Sequence, residues 1–446
     1  WLSNSTVNLG EVTLAGVGNA TNTLLFTNWS TKLTATNVYV NSRGNITHAQ
    51  SRTNNAPLNT NRVWIVCTNL SIATNGSINV TGQGHWAQEG PGAAVNGSDT
   101  VGPGASHGGK GADTSGSSLQ FARSPYGLTN APFELGSGGG RAISGGHGGG
   151  PGGGAVWIEA ATVTVYGVIL ANGSNSVGAS GYYGGGGSGG SIYISCGTFG
   201  GSTNGLMSAN GGTGSSGGGS GNGGGGSGGR IAVIYTNVAA NTAVRFSVTG
   251  GSDSSADTAE FGTLYFSDTA LLTETLSSFL TGWIVISNFS SWSVNNLTVS
   301  NVNVAMGNAT FSLTVTNNLV IGTGQNSSAS IILGRDRAAT TTVNVGNALT
   351  INGGKLGLGG STWEEFTYYS GPAKEAPTDV IIGGNVTMTN GGSLWVYSGM
   401  TNTARSDNGE CIIGDQHLDL CVFQSNQWRL SAVPHERSGC SDQRGV

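Results

Sequence analysis

Eight side chains between Arg335 and Tyr369 have the types and the spacing of a sugar-processing site. Arg335-Asp336-Arg337 sets one carboxylate between two cations, and Trp363-Glu364-Glu365 with Tyr368 and Tyr369 sets two more among three rings. Hydrolysis of a glycosidic bond needs two carboxyl groups about 5–10 Å apart, one as acid and the other as base or nucleophile. Lyases need an Arg or Lys base beside acidic groups. Asp336, Glu364 and Glu365 are therefore the catalytic candidates, should the chain be an enzyme. Arg335, Arg337, Trp363, Tyr368 and Tyr369 are the ligand-binding candidates, the arginines for an acidic sugar and the rings for stacking on one. The plainer reading, a charged turn and a solvated loop, is preferred. No Asp-Asp pair of the galacturonase kind occurs anywhere in the chain.

Other motifs fail on context. Gly186-Gly187-Ser188-Gly189-Gly190 and Gly225-Gly226-Ser227-Gly228-Gly229 spell a nucleophile elbow, but in glycine tracts the match is compositional. Gly104 to Lys110 spells a phosphate-binding loop, yet Gly111 stands where a magnesium-holding hydroxyl is required. Calcium-binding nonapeptide repeats need Asp at a fixed offset, and residues 136–229 contain none. His85, His107 and His147 lack Cys or carboxylate neighbours at metal-ligand spacing and read as polar loop residues. Neither a metal nor a cofactor is expected.

The elements that must carry these groups are read from a repeat. Residues 136–229 hold nearly half of the chain's 80 glycines, interrupted by Ala155-Val156-Trp157-Ile158, Ser191-Ile192-Tyr193-Ile194 and Arg230 to Tyr235. Each run follows a glycine tract (145–154, 184–190, 223–229), and Ala-Asn-Gly recurs at 171–173 and 209–211. Short β-branched and aromatic runs bounded by Gly, Asn and Ser are strands. A period in this range signals a stacked architecture. Val63-Trp64-Ile65 opens the same sentence earlier, giving three short strands per coil of a parallel β-helix. Trp157, Ile192, Ile194, Ile231 and Val233 are expected to point inward and stack from coil to coil. For the glycine tracts two readings compete: ordered loops tied to the strands, or close-packed extended segments of collagen or polyproline-II type. Without a glycine at strictly every third position, the loops are favoured.

This reading divides the chain into four parts. Residues 1–135 are N-terminal coils with a loop insertion at 82–135, and 136–235 are glycine-rich coils. Residues 236–404 are C-terminal coils, and 405–446 are an atypical tail, a cap or disordered. In the third part Leu313 and Val315, then Leu319 and Ile321, align with Val343 and Val345, Leu349 and Ile351, and again with Val380 and Ile382, Val386 and Met388. Gly353-Gly354-Lys355-Leu356-Gly357-Leu358 aligns with Gly391-Gly392-Ser393-Leu394-Trp395-Val396.

Leu349 to Gly359 resembles the strand repeat of bacterial autotransporter-type passenger domains. The Gly-Gly-Ser-Gly-Gly-Ser-Ile-Tyr-Ile and Gly-Gly-Arg-Ile-Ala-Val units are similar to those of large glycine-rich bacterial surface proteins. The likeness covers most of residues 60–400. It implies a right-handed parallel β-helix, a solenoid exposed on a cell or released from it, and transfers no catalytic residue.

Composition agrees with an all-β chain. Charged residues are 9%, against roughly 25% in an ordinary globular domain. The net charge of −5 and 17 Lys and Arg supply no basic footprint for nucleic acid. No apolar run approaches the ~18 residues of a membrane span. Starting at Trp1, the chain is read as a mature product or a fragment. Cys67 and Cys196 lie in apolar runs and read as small buried hydrophobes. The expected function is an extracellular or cell-surface structural or adhesive module contacting a polysaccharide or surface glycan, with self-association a further option. A polysaccharide lyase or glycoside hydrolase is the alternative.

Overall fold

The computed structural model describes residues 1–52, 60–93, 101–114, 121–142, 148–177, 183–216, 221–252, 259–277, 280–306, 310–325, 327, 329–333, 341–358, 378–398, 409–410, 422–424 and 427–431 of the chain. Among these the regular structure is all strand, and its ladders are parallel apart from short pairings that involve residues 409–431. The chain forms two compact units, Trp1–Asn288 with Val302–Val304, and Phe289–Asn301 with Ala305–Val446.

In the first unit a long and a short strand alternate. The long strands Thr6–Leu14, Lys32–Val40, Val63–Ile72, Ala155–Val165, Ser191–Gly201 and Arg230–Val238 pair in that order. The short strands Asn22–Thr27, Gly44–His48, Ser77–Asn79, Val168–Leu170, Leu206–Ser208 and Arg245–Ser247 form a second ladder in the same order. Register places like on like: Ile65, Ile158, Ile194 and Val233 make one buried column, and Ile46, Ile78, Ile169, Met207 and Phe246 another. Burying one such side chain contributes about 1.5–3 kcal/mol.

Each long strand breaks its alternation once, on one rung. Gly10, Thr36, Thr68, Ala161, Gly197 and Thr236 are skipped in the pairing, and inward positions resume one residue out of phase. An extra residue flips every following side chain to the other face. The long strand thereby serves two faces of the core.

Trp157 corrects the inward expectation. Ile192, Ile194, Ile231 and Val233 are fully buried, but it is Val156 and Ile158 that flank the core, and Trp157 between them faces outward, half-exposed. Alternation leaves no third option once its two neighbours are inside.

The glycine tracts also differ from the favoured expectation of loops. Residues 184–190 and 223–229 are buried throughout and are neither strand nor turn. Successive amides of 185–190 turn to three neighbours in rotation. Gly185 and Ser188 donate to Gly140 and Ser137 carbonyls; Gly186 and Gly189 donate to Gly224 and Ser227; Gly187 and Gly190 donate to Ser174 and Ala171. A direction that returns every third residue is that of a polyproline-II-type helix. A Cβ on Gly187 would lie 2.0 Å from the Pro151 carbonyl oxygen, and one on Gly226 2.1 Å from that of Gly187. Neither glycine is in the left-handed region, so space, not backbone freedom, demands glycine here.

Residues 101–109, inside the expected insertion, are buried in this layer as well: Ala105 donates to Gly186, and Ser227 to Ala105. Their small side chains let them join the packing instead of bulging from it. The Ala-Asn-Gly sites close the layer. Asn172 Oδ1 accepts the Asn210 amide (2.7 Å) and the Ser208 hydroxyl (2.6 Å), and Asn210 Oδ1 does the same one rung on for Thr249 and Ser247.

Among the described residues the second unit runs three parallel ladders. Ser291–Val294, Phe311–Val315, Thr341–Val345 and Thr378–Ile382 form the first, and Leu297–Ser300, Leu319–Ile321, Leu349–Asn352 and Val386–Thr389 the second. Ser330–Leu333, Lys355–Leu358 and Ser393–Ser398 form the third. Leu313 pairs with Val343 and Val343 with Val380, the alignment read from the sequence.

Candidate functional site

The eight candidates Arg335, Asp336, Arg337, Trp363, Glu364, Glu365, Tyr368 and Tyr369 all lie outside the described residues. Polar and aromatic side chains gather in two other places, both in the first unit.

The first is an outward ladder on the long strands. Trp64 pairs in register with Trp157, and Trp157 with Tyr193, so three rings occupy consecutive rungs. Rungs stand about 4.8 Å apart, which is stacking distance for flat rings. The Trp157 and Tyr193 centroids are 4.1 Å apart, tilted by 31°. The Arg62 guanidinium lies 4.2 Å from the Trp64 ring and 4.9 Å from that of Trp29, and Lys32 Nζ is 5.1 Å from Trp64. Glu159 Oε1 accepts both indole N–H groups, 2.7 Å from Trp157 and 3.2 Å from Trp64. Burial lowers the pKa of Arg62, while the charge of Glu159 acts to raise it. An exposed cation–π contact contributes about 0.5–1 kcal/mol. Ring faces, cations and carboxylate thus satisfy one another. The chemistry available is edge contact and stacking at the ends of the ladder, not proton transfer.

The second is a buried cluster where the glycine layer meets the strands. Arg230, 6% exposed, donates from Nε to the Tyr126 carbonyl (3.0 Å) and from an Nη to the hydroxyls of Thr129 and Thr263 (3.0 Å each). His107 donates from Nδ1 to the Gly189 carbonyl at 2.7 Å, and the Tyr126 ring lies over its imidazole at 4.6 Å. Burial, helped by the charge of Arg230, pushes the His107 pKa down to about 3. The ring is neutral at pH 7 and fastens two segments together. His48 acts alike: Nδ1 donates to Ala49, Nε2 accepts the Ala155 amide, and burial lowers its pKa to about 4.

His85 and His107 lie in irregular segments, as expected, but buried instead of on the surface, and His147 lies outside the described residues. The available signal was their setting: Ala105-Ser106-His107-Gly108-Gly109 offers small neighbours that leave room for a ring inside. Cys67 and Cys196 are free, buried thiols, and burial pushes both up to about 12. Among the described residues no three His, Cys, Asp or Glu are placed to share a metal ion, and no helix is long and apolar enough to cross a membrane. Comparison of the chain with protein-family models, with curated proteins and with solved structures finds no match.

Proposed function

We propose that the chain is a structural or adhesive module of an extracellular or cell-surface repeat protein, folded as a right-handed parallel β-helix that contacts glycans or other surfaces. The observation that carries this reading is the unbroken parallel register of the long strands from Thr6 to Val238, with a short-strand ladder beside it advancing in step. Chains that return to the same sheet in parallel do so with right-handed connections in nearly all cases. Stacked repeats give a stiff body whose outer positions recur at fixed spacing, which suits repeated weak contacts to a polymer. The low charge and the uncharged polar outer residues fit an extracellular setting. The likeness of Leu349 to Gly359 to autotransporter-type passenger repeats points the same way.

The test separates adhesion from catalysis. The purified chain is incubated with a panel of acidic and neutral polysaccharides, and bound protein and newly released chain ends are measured separately. Binding without new ends is the expected result. Release of ends would overturn the proposal in favour of a carbohydrate-active enzyme.

A further inference from the structure

Tyr166 stands on the surface between two open clefts. It is 43% exposed. It follows the long strand Ala155–Val165, held by its amide to the Ile72 carbonyl at 2.8 Å. On one side lies a cleft of about 300 Å³ lined by Thr162, Thr164, Thr198, Ser202 and Asn241. Register makes this cleft: Thr162 pairs with Thr198, and Thr164 with Gly200, where the missing side chain leaves a dent. No charged group lines it. On the other side a cleft of about 380 Å³ is lined by Asn75, Ser77, Asn204 and Arg245, again with Tyr166 as one wall.

Arg245 is the unusual member. It opens the short strand Arg245–Ser247, on the rung that continues Leu206, Val168 and Ser77. Its Nε is buried without a hydrogen-bond partner, and no ion pair holds its guanidinium among the described residues. Arg230, by contrast, is held by the Tyr126 and His107 carbonyls and two hydroxyls. With Nε enclosed, the two Nη groups are the donors left for the cleft that Arg245 lines, and such a pair suits a carboxylate or sulfate. Ligand sites combine a few placed polar groups with an aromatic surface, and these clefts do so around one ring.

We propose that the Tyr166 surface binds an anionic glycan: a sugar carboxylate or sulfate at Arg245, a pyranose ring against Tyr166, and the hydroxyls of the next sugar in the threonine cleft. The inference rests on the adhesive reading and names the ligand class and the place. The Trp64–Trp157–Tyr193 ladder is less suited to an anion, because its cations and its carboxylate are already engaged with its own rings. The chain as a whole is negative, so attraction is confined to the neighbourhood of Arg245, within a screening length of about 8 Å at physiological salt.

The experiment measures binding of the full chain to a polyuronate, a sulfated glycan and a neutral glucan, the first two arms separating the two anions. Variants are Arg245→Gln, Arg245→Lys and Tyr166→Ala. Because Nε lacks a partner and Tyr166 is on the surface, all three should melt with the wild type, and the melts confirm the fold. The expected result is preference for one of the polyanions, weakened at least about tenfold by Arg245→Gln, as for loss of a charge-assisted hydrogen bond. Arg245→Lys should lose less, and Tyr166→Ala should weaken binding to the same polyanion. If folded variants bind the polyanion like the wild type, the site is overturned while adhesion through another surface stands. Equal binding of neutral glucan and polyanions overturns the anionic assignment. If the wild type binds none of the three glycans, the inference falls. Adhesion of protein-coated beads to glycan-free surfaces then decides the adhesive reading separately.

Discussion

Within one tract, Gly148 and Gly153 should respond to the same substitution in opposite ways. A Cβ on Gly148 meets nothing within 4 Å, whereas one on Gly153 would lie 1.9 Å from the Ala171 carbonyl oxygen and 2.4 Å from the Gly190 amide nitrogen. Neither residue has a left-handed φ, so backbone strain cancels from the comparison. Relief at 153 requires the segment to move by about an ångström, but its amide donates to Ser188 and its carbonyl accepts from Gly136, both at 2.9 Å. Loss of two buried hydrogen bonds costs about 2–6 kcal/mol, and overpacking adds about 1–3 kcal/mol. Gly153→Ala should therefore destabilise the first unit by about 4 kcal/mol or more. At roughly 2 °C per kcal/mol for a unit of this size, the melting midpoint falls by about 8 °C. Gly148→Ala should be neutral, or stabilise by about 0.4–1 kcal/mol by restricting the unfolded chain. Thermal melts and hydrogen exchange of the 184–190 amides check both. Equal melting of the two variants would refute the close-packed layer.

Three further outcomes follow from the same geometry. Ile158→Ala should cost about 2–5 kcal/mol and Trp157→Ala only about 1–2 kcal/mol; chemical denaturation showing the reverse order would return Trp157 to the core. His48 and His107 have folded pKa values near 4 and 3, below the ordinary 6.5, so the unfolded chain takes up protons first as pH falls. Stability held above pH 6.5 is thus lost on acidification, by roughly 2 kcal/mol for each histidine between pH 6.5 and 5. A denaturation midpoint unchanged over that window would contradict their burial, and His48→Gln should shrink the drop. Cys67 and Cys196, their thiols pushed up to about 12, should resist alkylation at pH 8 in the folded chain and react on unfolding. Peptide mapping by mass spectrometry reads this directly, and rapid labelling of either would count against a buried site.

The sequence alone determined the all-β class and much of the register. Leu313 and Val343 align by inspection because each sits between polar residues, so alternation marks the inner face, and Val380 follows from the spacing of its unit. Val156-Trp157-Ile158 carries no such mark: three large apolar residues in a row fit either parity, and only the paired neighbours decide it. The glycine layer was illegible for a related reason. A collagen strand touches its partners along one line and needs glycine at every third residue. The 185–190 segment has a neighbour on each of its three sides, so every position is crowded and the period disappears into a solid run. Tyr166 and Arg245 line one cleft with Thr74 to Ser77 and Asn204 only because the short strands stack in register, and no local pattern in the sequence records that arrangement. Strand parity and strand type are local properties of side chains. The packing of glycine segments and the joining of distant side chains depend on which backbones lie next to one another, and tertiary structure alone fixes that.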